Sequence, residues 1–320
     1  MRLAVRGFVV LLVGHAAAFA PHARPVLGAP ASQRPVFAAA AADEGEPLVL
    51  GAPLDAPLDL APRAGEVDPS TLPLPHFAWR SVAFFCLNPA ALVPLPLIAA
   101  LCGRFGLRLG LLGPAYGVSG SAARLAAVFA APILLLALLP LERFPPLASL
   151  AEVTEASKVI CLYALGAVLL PARALAGAAL ISASAALFEE LAFRGVLQSL
   201  LQLGFGALLP ARAAMWLALS AQALVFGVVH SYTPSPAYLI SATLAGLALG
   251  GAFAATGNLF VPIVMHFIID VISFSVCHVQ VARSGERAQR ELMSSSTPIA
   301  AALAASMASF GLGGMRRAEE

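Results

Sequence analysis

Three polar clusters interrupt apolar stretches of this chain: Glu189, Glu190 and Arg194 in LFEELAFRG, Phe226 and His230 in FGVVH, and His266 and Asp270 in HFIID. A charged side chain in the middle of a membrane helix costs roughly 2.5 to 3.5 kcal/mol, so the two glutamates, the arginine and the aspartate together cost about 10 kcal/mol. Groups that expensive are kept where they are used. A carboxylate can take a proton from water, a histidine can orient that water, and a second histidine with a polar neighbour can donate hydrogen bonds to a developing oxyanion. Hydrolysis of an acyl or peptide bond needs that set.

Spacing assigns the parts. Successive residues on an α-helix lie about 100° apart, so Glu190 and Arg194 share a face while Glu189 and Arg194 are separated by about 140°. Glu190 thus has a built-in cation and reads as a brace, and Glu189, left without a local partner, reads as the reagent. The same spacing stacks Phe226 beneath His230 and sets His266 over Asp270. Glu189, His230, His266 and Asp270 are also chemically competent zinc ligands, and with Glu190 and Arg194 they sum to minus two if both histidines are neutral. A divalent cation would balance that sum, and so would protonated histidines. No HExxH occurs, so the soluble zincin pattern lends no support to a metal.

EExxxR at Glu189, Glu190 and Arg194, FxxxH at Phe226 and His230, and HxxxD at His266 and Asp270 occur in this order, each in a hydrophobic segment. The arrangement resembles the CAAX-processing and bacteriocin-processing (CPBP) intramembrane endopeptidases, the family that includes the Ras-converting CAAX prenyl endopeptidase. The resemblance runs over about 180–275, through FRG at Phe193 to Gly195 and the glycine-rich segment before Thr256-Gly257-Asn258. It implies that Glu189 activates water, that Glu190 and Arg194 form a bracing pair, that His230 orients the water, and that His266 with Asp270 stabilises the oxyanion. The third motif ends in Asp270, where the prenyl endopeptidases often carry asparagine. An ionised aspartate cannot donate to an oxyanion, so Asp270 would instead hold His266 as imidazolium or face a metal.

The rest of the chain must place these residues in a membrane. Of its 320 residues, 60% are hydrophobic and 11% charged, against about 25% charged in a soluble domain, and the mean hydropathy is +0.87. This composition predicts an all-α, polytopic membrane helix bundle of about seven spans, six to eight, lying in lipid. Apolar runs fall at 81–102, 122–140, 157–170, 174–201, 213–230, 237–255 and 259–279, with a further one at 299–311. If seven spans alternate, Arg104, Arg108, Arg124, Arg173, Arg283, Arg287 and Arg290 share one side. Alternation also puts Glu189 near mid-membrane and His230 at the end of its span, so a helix must end, bend or re-enter around 195–210 if the two are to meet. Gly246 and Gly250 in GLALG have the small-xxx-small spacing that lets helices approach closely.

The globular part is expected at 76–320. Ahead of it, 1–18 reads as a signal peptide with Arg2 and Arg6 before a short apolar run and Ala16-Ala17-Ala18 at its end. Residues 19–42 begin Phe19-Ala20-Pro21 and carry Arg24, Ser32 and Arg34 but no acid, so the leader resembles the bipartite plastid-targeting leaders of algae with secondary plastids. A plastid membrane is the destination this implies, with the endoplasmic reticulum or another secretory membrane the alternative. Residues 43–75 are acidic and proline-rich and form a linker.

Other function classes fit less well. The net charge of +2 and scattered arginines exclude a nucleic-acid partner, and Cys86, Cys102, Cys161 and Cys277 have no metal spacing and read as packing thiols. Gly117-Val118-Ser119-Gly120 has the GxSG form of the rhomboid serine proteases, but Ser119 or Ser121 is better read as the cap of the helix that follows. A membrane scaffold would need Glu190 and Arg194 but not the remaining residues, and a transporter would be expected to show two matched halves. The resemblance implies a peptide or a prenylated protein at the membrane as the substrate.

Overall fold

A computed structural model describes residues 74–87, 118–139, 149–230 and 236–295. The signal-like and transit-like segments, the linker up to residue 73 and the runs at 88–102 and 299–311 lie outside the described residues. Among those described, all regular structure is helical: α1 (Trp79–Cys86), α2 (Gly120–Leu138), α3 (Leu150–Leu165), α4 (Pro171–Glu190), a π-helical segment (Leu191–Gln198), α5 (Ser199–Gly206), α6 (Ala211–Val229), α7 (Pro236–Thr256), α8 (Phe260–Arg283) and α9 (Glu286–Ser295).

Among the described residues, four helical stretches are long and apolar enough to cross a membrane: Pro171–Gly206, Ala211–Val229, Pro236–Thr256 and Phe260–Arg283. Their surfaces are inverted relative to a soluble protein. Leu175, Leu180, Trp216, Leu224, Ile240 and Leu244 are exposed, whereas Glu190, Arg194, Gln198, Gln222 and His266 are buried. An apolar exterior around a polar interior is what hydrocarbon demands, since it cannot satisfy a polar group. The protein is a multi-pass helical membrane protein.

The boundaries depart from the sequence expectation in two places. The run at 157–170 is a helix from Leu150 to Leu165, starting earlier because Glu152, Glu155 and Lys158 sit on it as polar residues that hydropathy discounts. It stops at Gly166, whose φ of 82° is open to glycine alone at this spot, since a Cβ there would meet the backbone of His76 and Phe77. The expected single span at 174–201 is part of a 36-residue helical rod. At about 1.5 Å per residue such a rod is about 54 Å long, more than the roughly 30 Å of hydrocarbon. The rod changes its winding at Leu191, and the chain reverses between Gly206 and Ala211, where Pro210 precedes the first residue of α6. The helix end expected around 195–210 therefore occurs, at Gly206.

α9 was not anticipated. Its sequence, ERAQRELMSS, is too polar to register as a membrane run, yet Leu292 and Met293 pack on Val159, Leu162 and Val281 while Gln289 donates to the carbonyls of Ala167 and Val281.

α6 and α7 run antiparallel at close range. A Cβ on Gly246 would lie 3.0 Å from Ala223 Cα, one on Gly250 would lie 2.6 Å from Leu219, and one on Gly227 would lie 3.0 Å from the carbonyl oxygen of Leu239. The Gly246/Gly250 spacing read from sequence thus marks a true helix contact. α8 packs on the other side, using Val261 and Met265 against Ala122, Ala126 and Ala130 of α2 and against Leu249 and Ala252 of α7.

Candidate functional site

The π-helical segment, the C-terminal ends of α4 and α6 and the first half of α8 bring the three motifs together. Glu189 and Glu190 are the last residues of α4. At Leu191 the rod loosens into π winding, a rare local form that recurs at functional sites. Ser199, the first residue after it, gives its N–H to Val196 and its hydroxyl to the carbonyl of Arg194 at 3.0 Å, so the loosened turn does not leave that carbonyl bare. Phe193 packs edge-on to Phe226 with ring centroids 4.9 Å apart, which pins the segment to α6.

The expected brace is present. Nη1 of Arg194 lies 2.7 Å from Oε1 of Glu190, and both side chains have no exposed surface. Nη2 of Arg194 donates to the carbonyl of Gly246 at 3.2 Å, and its guanidinium carbon stands 4.6 Å from the ring centre of Phe226. The cation is thus met by a carboxylate, a carbonyl and a π face, while its buried Nε has no hydrogen-bond partner among the described residues.

Glu189 differs from its neighbour. Its side chain is 30% exposed against 0% for Glu190, although the Oε2 that faces the histidines is itself buried. Its Oε2 lies 3.2 Å from Nε2 of His230 and 3.9 Å from Nε2 of His266. Without a partner on its own helix, it meets both histidines across the bundle.

Hydrogen-bond chemistry sets the protonation of the two rings. Nδ1 of His230 is 2.8 Å from the carbonyl oxygen of Phe226, and because a carbonyl only accepts, Nδ1 carries a proton. The ring stacks on Phe226 at 4.1 Å, the pairing expected from their spacing. Nε2 then faces the Glu189 carboxyl, and a lone pair against a carboxylate oxygen repels, so one proton lies between them. His266 is flanked on both sides: Nδ1 is 2.8 Å from Oε1 of Glu190 and Nε2 is 3.3 Å from Oδ2 of Asp270. With a carboxylate at each nitrogen, the ring is an imidazolium. Three carboxylates then balance Arg194 and two protonated histidines, and the cluster is neutral. A neutral cluster avoids most of the cost of burying charge.

Each nitrogen of His266 faces a carboxyl group, and among the described residues no group of three His, Cys, Asp or Glu is arranged to hold a metal ion. Ser119 is also accounted for. Its Oγ accepts from the N–H of Ala122 at 3.1 Å and lies 3.0 Å from Oγ of Ser121, as a helix cap does.

Two glutamines were missed by the sequence reading. Gln198 and Gln222 are buried, and each uses its amide to donate to a carbonyl of α7, Gln198 to Gly250 at 3.1 Å and Gln222 to Gly246 at 3.0 Å. The missing side chains of the two glycines expose those carbonyls. The signal was present: Gln198 follows Arg194 by four residues and Gln222 precedes Phe226 by four, so each extends a motif face by one turn.

These features define a polytopic membrane protein with a charge-neutral Glu-His-Arg-Asp cluster between its helices. Residues 171–272 match the family model of type II CAAX prenyl endopeptidase Rce1-like, about a third of the chain and the part that carries every member of the cluster. The matched segment is thus similar to type II CAAX prenyl endopeptidases of the Rce1-like kind, in line with the resemblance read from the three motifs. Neither curated proteins nor solved structures gave a match to the chain.

Proposed function

We propose that the chain is an intramembrane endopeptidase that hydrolyses a peptide bond of a membrane-associated substrate, in CAAX-type prenyl-protein processing or a closely related cleavage. The observation that carries this reading is the contrast between adjacent carboxylates. Glu190 is enclosed with Arg194, while the partly exposed Glu189 faces His230 and His266 at 3.2 and 3.9 Å.

In this reading Glu189 is the general base. Water attacks the carbonyl carbon, its proton passes to Glu189, and the carbonyl π electrons move to oxygen. Collapse of the tetrahedral species expels the amine, which takes the proton back from Glu189. His230, held by Phe226 through both its Nδ1 bond and ring stacking, orients the water with Nε2. His266 stabilises developing negative charge as an imidazolium, and Asp270 holds it in that state. The likeness to the endopeptidase family supports a prenylated CAAX protein as substrate. The leader composition supports a plastid membrane as its location.

The test uses purified protein in lipid vesicles with a labelled peptide library that includes farnesylated CAAX peptides. Wild-type protein cleaves a member of the library, Glu189→Gln remains folded and does not, and cleavage by Glu189→Gln at the wild-type rate overturns the reading.

A further inference from the structure

Gly246 gives one carbonyl oxygen to two side chains. Nη2 of Arg194 donates to it at 3.2 Å from the π-helical segment, and Nε2 of Gln222 donates to it at 3.0 Å from α6. The missing side chain of Gly246 lets α6 come this near, since a Cβ there would lie 3.0 Å from the Cα of Ala223, the residue after Gln222. Arg194 and Gln222 have no exposed surface, so both donors meet the carbonyl away from bulk water, where a hydrogen bond is stronger.

Arg194 depends on this acceptor. Nη1 goes to Glu190, Nη2 goes to Gly246, and Nε has no hydrogen-bond partner among the described residues. The guanidinium also stands over Phe226, which follows Gln222 by four residues on the same face of α6. One face of α6 therefore sets two supports of the cation: Phe226 offers its ring, and Gln222 holds the carbonyl. From there the chain to the central histidine is short, because Arg194 and Nδ1 of His266 both donate to Oε1 of Glu190, at 2.7 and 2.8 Å.

We propose that Gln222 is a positioning residue for the hydrolysis: by fixing the Gly246 carbonyl it holds Arg194 on Glu190, and through the shared Oε1 it sets where His266 stands. The inference rests on the endopeptidase reading above. It gives α7, which carries none of the three motifs, a part in the site through its backbone. A catalytic group displaced by about 1 Å loses about 10²-fold in rate, so a hydrogen bond remote from the reacting atoms is enough to reach kcat.

Gln198 is the matched comparison. It is as buried as Gln222, and its amide donates to the carbonyl of Gly250, one turn further along α7, at 3.1 Å. The Oε1 of each glutamine has no hydrogen-bond partner among the described residues. Loss of either amide thus removes one bond of the same kind to the same helix, but only Gln222 shares its acceptor with Arg194.

The experiment compares wild-type protein, Gln222→Met, Gln198→Met and Glu189→Gln in lipid vesicles on a labelled farnesylated CAAX peptide, with kcat, KM and Tm measured on the same preparations. Gln222→Met is expected to lower kcat by about 10- to 10²-fold with KM close to wild type. Gln198→Met should lower Tm as much as Gln222→Met does and keep kcat within a few-fold of wild type. Equal effects of the two variants on kcat, or a Gln222→Met that changes only Tm or KM, mean that the glutamine merely holds helices together, which overturns the proposal. Gln222→Leu, which also lacks the donor, takes over if Gln222→Met does not fold, and failure of both beside a folded Gln198→Met overturns it as well. Each of these results leaves the endopeptidase reading intact while Glu189→Gln is inactive. An active Glu189→Gln removes that reading and this proposal with it.

Discussion

Glu190 and His266 are joined by a 2.8 Å contact from carboxylate oxygen to Nδ1, and the same Oε1 accepts from Arg194 at 2.7 Å. The bracing acid is therefore also the residue that orients the central histidine. Through it, α4 fixes the ring carried by α8, and the two adjacent glutamates hold His266 from different sides.

Replacing Glu190 breaks both contacts together. Glu190→Gln leaves Arg194 as an uncompensated charge with no exposed surface, and breaking such a pair costs about 3 to 5 kcal/mol. Thermal unfolding in detergent should show a large drop in Tm, and the surviving folded fraction should cleave more slowly because His266 has lost its anchor. Wild-type stability in Glu190→Gln would contradict the brace.

The α6/α7 contact makes opposite predictions for neighbouring glycines. A Cβ at Gly250 would meet Gln222 and come within 2.6 Å of Leu219 and 2.8 Å of Gln198, whereas one at Gly251 meets nothing within 4 Å. Gly250→Ala should destabilise by about 1 to 3 kcal/mol, as overpacking does. Gly251→Ala should be neutral or stabilising by up to about 1 kcal/mol, because alanine is the better helix former. Chemical denaturation of the two variants side by side checks the pair, and equal effects would show that the contact is not tight.

Ser119 provides a control for chemistry. With its hydroxyl capping α2, Ser119→Ala should cost about 1 kcal/mol of stability and leave the cleavage rate unchanged. A folded but inactive Ser119→Ala would move the reaction to a serine nucleophile.

Much of the cluster was legible in the sequence because its pairs are local. Glu190 with Arg194, Phe226 with His230, and His266 with Asp270 are each four residues apart, and helix geometry alone brings them together. The contacts that join the pairs are tertiary, and spacing is silent about them. Nothing in the sequence places His266 against Glu190. The π winding over LAFRGVLQ leaves no compositional mark, because its residues are ordinary helix formers apart from Gly195. α9 escaped a hydropathy reading because a polar helix with one buried face has no net apolar signal. α3 was placed too late for a related reason: its first turns carry Glu152 and Glu155, which a search for apolar runs passes over.

The central claim is that Glu189, and not its buried neighbour, activates water. Its most direct test is the single-turnover cleavage rate of Glu189→Gln in vesicles, with Tm measured on the same preparation. Loss of a properly placed general base lowers the rate by about 10²- to 10⁴-fold. We predict a loss in that range or greater with Tm held nearer to wild type than in Glu190→Gln, since Glu189 is partly exposed while Glu190 is enclosed with Arg194. A folded Glu189→Gln that cleaves within a few-fold of wild type would contradict the account.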